Sequence, residues 1–543
     1  MNGSTKDGYK EALSVRLKRF PDHRYSAILL PAIGCFLYAA LLLLFCTRNS
    51  PLFVYQSWTD PNIYMDTARA MTKGAVLYRD VFDHKGPLLY LVFIVFSYVS
   101  KDTMTGLYLL QSLTLGITLL YLYRMALLFV PKSAGFWICA VFPFFLLNNL
   151  VYFQGGGSAE ELLLPCFMGG LYYLCASFQI RSTGIPMEGR KESAQAGAFF
   201  PLGIFSGIVL AVKLNLTVFF IVGCGFLFLS FLLRKDWKLF FQALWRYALG
   251  IMVPVLPCLI YFAATQSFAS FWNVYIKFNL VYSQAAANPN EMDNLWFAIG
   301  TSLFLNLASV ICTFTGMLVM TVKKNQISAF GWITLFSAYV TFFIAIFIDN
   351  RVAPYLYIPL LCFSGIGLIG IYFGATSLWN IQQNPFRQMK VSWMIRGVSG
   401  AVIIAGIIFS NTLFHESRIF QTDKTGTQQI SEMIRSTWHP SKPEETPSIL
   451  LFNSTDQGFF DETNCIPKLK VFYMPMINAS VYPGLLNEQI AYVFHDLADY
   501  IIISSYEPID TQIIPDINAA YVLTDYQTQT IEGTQWYMYL YSK

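Results

Sequence analysis

The chain has 543 residues, 55% of them apolar and only 13% charged, with a net charge of +4, against roughly a quarter charged in a soluble domain. Those numbers exclude a fibrous, disordered or disulfide-scaffold protein, and the small net charge gives no argument for nucleic acid. Forty-eight Phe and thirty-two Tyr suit lipid-facing walls and interfacial belts better than a water-soluble core. Of the ten cysteines, only Cys465 stands in a polar region, so the rest read as small buried hydrophobes. The five histidines are scattered, which leaves no histidine-based metal spacing.

In chain order, a basic segment, residues 1–24, precedes an apolar run from Tyr25 to Cys46. The run is too long for a signal-peptide core and Thr47-Arg48 is a poor cleavage site, so it reads as an uncleaved first span. Ten further spans are expected near 105–130, 134–151, 159–179, 198–213, 215–233, 240–263, 294–320, 328–348, 354–376 and 396–413, making eleven. The apolar stretch Pro87 to Ser100 would be only about 21 Å long as a helix, so it is expected to lie in the interface or dip and return. With that choice the basic clusters around Arg124, Arg190, Lys235, Lys323 and Arg387 all fall in internal loops, as the positive-inside rule requires. The tail, 414–543, is then outside. Its segments Ser448–Asn453, Lys468–Tyr473, Tyr500–Ser504, Ala520–Thr524 and Gln535–Tyr541 read as strands, and Leu485–Leu497 as a helix, giving a small α/β domain. The fold class is therefore an α-helical polytopic membrane protein, residues 25–413, with an extracytoplasmic α/β domain.

Ionisable groups near a bilayer need a reason, and they collect in the first outer loop, 47–104. Asp60 followed by Pro61 makes a good helix start, with Asp as N-cap, and Gly74 a natural stop. A capping carboxylate keeps a free lone pair, so Asp60 can cap and also act as a base. Asp83-His84-Lys85-Gly86-Pro87 could anchor the chain at the headgroups, or Lys85 could bind a phosphate with the free N–H groups of the helix that follows. Gly155-Gly-Gly-Ser-Ala-Glu160-Glu161 is either a flexible turn before a charge-compensated helix end or a backbone free to approach a ligand. Lys213 and Arg351 also face outward, and either could simply snorkel. Together these groups come from five separated segments to one membrane face. Carboxylates there supply a general base or a divalent metal site for magnesium or manganese, and cations supply a phosphate clamp. An inverting transfer from a phosphate-activated sugar needs both: a base for the acceptor hydroxyl and positive charge for the leaving phosphate.

These residues resemble the GT-C superfamily of polytopic membrane glycosyltransferases, in the bacterial branch related to protein O-mannosyltransferases and lipid A aminoarabinose transferases. Tyr78-Arg-Asp-Val-Phe-Asp-His-Lys-Gly-Pro-Leu-Leu-Tyr90 is the most specific stretch, joined by Asp60, Gly155 to Pro165, Lys213-Leu-Asn215 and Phe278-Asn-Leu-Val-Tyr282. The resemblance implies a polyprenyl-phosphate-linked sugar donor, an envelope glycan, lipid or protein acceptor outside the cytoplasmic membrane, and inversion. It makes Asp60 the base and Glu160 or Glu161 the second acidic position. It sets Lys85 near the donor phosphate and Arg351 at a late outer-loop basic position; by their own charge and place, His84, Lys213 and Arg351 are further candidate phosphate contacts. Asp83 and Glu161 remain as metal or acceptor contacts. Members often carry a His-Tyr pair soon after the late basic residue, where this chain has Pro354-Tyr355. A transporter or flippase for a lipid-linked glycan is the alternative, but it would need ionisable groups near mid-membrane and often internal repeats. An envelope-assembly scaffold using the outer domain is a third.

Overall fold

A computed structural model describes residues 22–53, 56–100, 103–147, 155–179, 196–281, 292–322, 326–347, 354–378, 397, 400, 423–440, 445–475, 482–509, 520–531 and 534–543. Among these, seven helices are long and apolar enough to cross a membrane, and a bent pair, Ile299–Leu305 with Leu307–Val322 at 80°, makes up to eight. Lys132–Leu147 and Phe199–Val212 are shorter apolar helices where full spans were expected, and the expected span 396–413 lies outside the described residues but for Gly397 and Gly400. The membrane surfaces are apolar outward: Leu29, Leu41, Ile221, Trp245, Ile260, Phe304 and Ile344 are all exposed, as lipid-facing positions are.

Small residues set the tightest helix contacts. A Cβ on Gly203 would stand 2.2 Å from the Tyr247 carbonyl, and one on Gly250 2.2 Å from that of Phe200, so Phe199–Val212 and Trp237–Ala264 meet backbone to backbone. Gly316 and Gly370 clamp another pair in the same way, with a Gly370 Cβ 2.0 Å from the Gly316 carbonyl.

Two helices between the first span and Thr105–Ala126 are too polar or too short to be counted as spans. Thr59–Thr72, hereafter the loop helix, is mostly buried yet low in hydrophobicity. Pro87–Ser97, the short helix, has eleven residues, about 16 Å of rise and too little for a bilayer of roughly 30 Å.

The C-terminal domain is a four-stranded sheet in the order β1-β2-β4-β3, with β1 Ile449–Leu451, β2 Tyr500–Ser505, β3 Val522–Ile531 and β4 Thr534–Ser542. β1 runs parallel to β2, and the other pairings are antiparallel. Helix Gly426–Thr437 packs on it, begun by a capping box between Thr425 and Gln428, and Gly484–Phe494 is the second long helix. Lys468–Tyr473, expected as a strand, is irregular, although the Leu451 N–H still donates to the Phe472 carbonyl at 2.9 Å. The reason is that this segment faces the membrane part: the Phe82 N–H donates to the Lys470 carbonyl at 2.9 Å. Arg69 pairs with Asp461 at 2.8 Å, and Phe278 meets Tyr482 edge-on at 5.0 Å. The domain therefore sits on the loop between the first two spans.

Candidate functional site

The loop helix starts at Thr59, with Trp58 as an extended N-cap that makes no side-chain cap bond. Asp60 thus lies in the first turn rather than capping it, a correction to the sequence expectation. Its carboxylate still gains from the helix dipole and accepts a 2.9 Å hydrogen bond from the Tyr64 hydroxyl one turn on. Tyr64 is itself fixed edge-on against Tyr90 and Phe93 of the short helix. Burial lifts the Asp60 pKa above its ordinary value; Lys85 opposes that shift and Glu160 and Asp83 add to it. A carboxylate adjusted in this direction is a better proton acceptor than a solvated one. Gly74, at φ +100°, follows the helix end, where only glycine adopts that backbone freely.

After this helix the chain turns at Tyr78, whose φ of 67° is unusual for a bulky side chain. The ring stacks on Phe262 and the hydroxyl donates to the Lys85 carbonyl at 2.5 Å. Asp83, buried, accepts at Oδ1 from the His84 N–H at 2.6 Å and from the Tyr473 hydroxyl at 2.8 Å, while Oδ2 accepts from the Tyr90 hydroxyl. The His84 Nδ1 lies 3.2 Å from Asp83 Oδ1, and the Lys85 Nζ 3.4 Å from the His84 Nε2. Burial raises the Asp83 pKa, but the hydrogen bond and charge of His84, then Lys85 and Tyr90, outweigh it and leave it at about 2. Asp83 is therefore a permanently charged anchor rather than a base.

Gly86, between Lys85 and Pro87, sits where a side chain has no room. Its N–H donates to the Val212 carbonyl at 2.9 Å, and a Cβ there would fall 2.2 Å from the Ala211 carbonyl. This close approach docks the Lys85 segment on the end of Phe199–Val212, next to Lys213. Lys213 forms an ion pair with the buried Glu160, and the charges of Lys85 and Asp60 also act on it. Asn279, from the Phe278 to Tyr282 motif, donates to the His84 carbonyl at 2.8 Å.

Glu161 has another task. Its Oε1 accepts from Gln111 at 2.9 Å and its Oε2 from the Gly157 N–H at 2.6 Å. Gly155, Gly156 and Gly157 all have positive φ, and Thr47 and Asn49 hold the carbonyls of Gly155 and Gly156 at 2.6 and 3.0 Å. Glu161 thus braces a strained glycine turn that aims Glu160 toward Lys213.

Asp60, the Asp83–Lys85 cluster, Glu160 and Lys213 are brought together; Glu161 is directed into the glycine turn; Arg351 lies outside the described residues. Among the described residues no three His, Cys, Asp or Glu side chains gather closely enough to hold a metal ion, so of the two uses the sequence left open for the carboxylates, a base or a magnesium or manganese site, the described residues present no ligand set for the second. Sequence reading missed Tyr64, Tyr78 and Tyr473. The first two lie inside or beside the quoted motifs, whereas nothing near Tyr473 advertises its partner.

No protein-family model matches the chain, and no curated protein matches it by sequence. Its fold does match solved structures. One is ArnT from Cupriavidus metallidurans bound to undecaprenyl phosphate, at 12% identity over 95% of this chain and 98% of that one, with a TM-score of 0.56. The same protein in the apo state gives 11% identity, the same coverages and a TM-score of 0.54. AglB from Archaeoglobus fulgidus, in complex with an inhibitory peptide and a dolichol-phosphate, is more distant, at 13% identity over 93% of this chain and 74% of that one and a TM-score of 0.48. The chain therefore shares its fold with ArnT over nearly the full length of both.

Proposed function

We propose that this protein is a GT-C glycosyltransferase that moves a sugar from a polyprenyl phosphate to an envelope glycan, lipid or protein at the extracytoplasmic face. The observation that carries the reading is the meeting of Asp60, Lys85 and the Glu160–Lys213 pair, from four separate segments, at one end of the bundle. The ArnT structure with undecaprenyl phosphate supports the donor class.

In the reaction Asp60 takes the proton of the acceptor hydroxyl, the acceptor oxygen attacks the anomeric carbon, and the carbon–phosphate oxygen bond breaks on the opposite face, giving inversion. The polyprenyl phosphate leaves with the bonding electron pair. Lys85, flanked by His84 and Lys213, balances the developing charge on it. No acid is needed for a leaving group that is already a stable anion.

Parity supports the proposed sidedness. The C-terminal domain touches the first loop, so an even number of crossings separates them. With the basic N-terminal segment inside, both lie outside the cytoplasmic membrane.

The test is transfer by the full chain in vesicles carrying a radiolabelled polyprenyl-phosphate sugar and envelope acceptor fractions. Asp60→Asn should lower turnover by about 10²-fold or more with insertion unchanged, and retained turnover removes Asp60 as the base. Lys85→Ala should weaken donor use more than acceptor use; an unchanged apparent donor affinity removes the phosphate role.

A further inference from the structure

We propose that Tyr473, in the C-terminal domain, is a positioning residue for the donor phosphate site: it holds Asp83, and through Asp83 the His84 and Lys85 side chains. The inference rests on the phosphate role given to Lys85 above and adds a function for the domain. Tyr473 is buried, comes from a segment 390 residues away, and its hydroxyl donates to Asp83 Oδ1 at 2.8 Å. The oxygen it binds is the one that faces the His84 ring, 3.2 Å from Nδ1. A donor at that point fixes the carboxylate plane and shares the negative charge that would otherwise fall wholly on His84.

The rest of the contact is built to keep the hydroxyl in place. The Phe82 N–H is bound to the Lys470 carbonyl at 2.9 Å, one residue before Asp83 and three before Tyr473. Phe278 packs edge-on against Phe82 on one side and Tyr482 on the other, and touches the His84 ring at 5.9 Å between centroids. Met474 donates its N–H to the Ser454 carbonyl at 2.8 Å, tying the segment back to the domain. The domain thus completes the cluster that carries Lys85.

The experiment measures undecaprenyl phosphate binding to the full chain in nanodiscs from pH 5 to 9, for wild type, Tyr473→Phe and Lys85→Ala, with thermal unfolding alongside. Tyr473→Phe should weaken binding about tenfold and move the histidine inflection in the binding curve to higher pH, because Asp83 freed of one donor holds the imidazolium more strongly. A purely structural tyrosine would lower the unfolding temperature and leave the inflection where it was, and that result overturns the proposal. Wild-type binding in Tyr473→Phe with lost binding in Lys85→Ala overturns it too, leaving the site reading intact. Equal binding in all three overturns the phosphate role of Lys85 and this proposal with it. If Tyr473→Phe does not accumulate, Asp83→Asn takes its place: it weakens the same acceptor from the other side and must show the same loss, and wild-type affinity there counts as refutation.

Discussion

The two ends of the loop helix handle buried acid in opposite ways. At its N-terminal end Asp60 shares its surroundings with Lys85 and with Glu160, which is paired to Lys213, so positive and negative groups alternate. At its C-terminal end Asp66 lies wholly buried against Asp456 of the C-terminal domain, with Arg69 the cation, 3.8 Å from Asp66 and 2.8 Å from Asp461. Burial, then Asp456, pushes the Asp66 pKa well above the usual carboxylate range; burial lifts Asp456 to about 6, against the N–H groups of Gly458 and Phe459 that favour its charge. The first end mixes both signs of charge where we propose the donor phosphate binds, whereas the second buries two acids at the contact with the C-terminal domain. One helix, fourteen residues long, joins chemistry to docking.

The largest expected effect sits at the site end. Lys213→Met leaves Glu160 buried and uncompensated, which costs about 3–5 kcal/mol and should show as lost accumulation or a much lower unfolding temperature. Adding Glu160→Gln should recover most of it, because the stranded charge is gone. If Lys213→Met alone unfolds like wild type, the pair is not a buried one and the contrast between the two ends fails.

At the docking end Arg69→Met removes the cation shared by Asp461 and Asp66. Both side chains of the Arg69–Asp461 pair are about one-tenth exposed, so the cost should be smaller, on the order of 2–3 kcal/mol. It should appear as faster proteolysis between the membrane part and residue 423 rather than as loss of insertion. The glycosyl-transfer rate should fall as well, since Tyr473 reaches Asp83 only when the domain is docked.

Much of this was legible in the residues and some was not, for physical reasons. Scarce charge marked the membrane class, and the fourteen residues from Pro87 to Ser100 were too few to span, as the eleven-residue short helix shows. The Asp83 to Tyr90 motif was visible because its polar groups are adjacent in sequence. Asp60 was misplaced by two residues, since the N-cap is Trp58, because Asp-Pro fits the first turn almost as well as the cap. Glu160 and Glu161 could not be told apart by type; only the glycine turn, with three positive φ values, sends one to Lys213 and the other to Gly157. β3 was expected to end at Thr524, since Asp525 to Thr530 shows no apolar alternation, yet an edge strand exposed to water needs none. The contacts of Tyr473 and of Asp66 with Asp456 span about 390 residues, beyond any periodicity in one segment.

The smallest effect is the one that separates the two ends by pH. Asp66 and Asp456 are both buried, and both have pKa values above their ordinary ones, chiefly through burial. For a carboxyl raised in the docked state, stability is fully present below the ordinary value near 3.8 and is lost as pH rises through the docked value. Docking should therefore weaken as pH rises through about 6, where Asp456 ionises, and further above that as Asp66 follows. Asp66→Asn fixes a neutral donor of the same shape, so it should flatten the loss and make the docked domain more resistant to protease at pH 8 than wild type, by a few-fold. Asp60→Asn, at the other end of the same helix, should leave that protease curve unchanged while removing turnover. A docking curve that moves with Asp60 rather than Asp66 would show that the two acid clusters titrate as one.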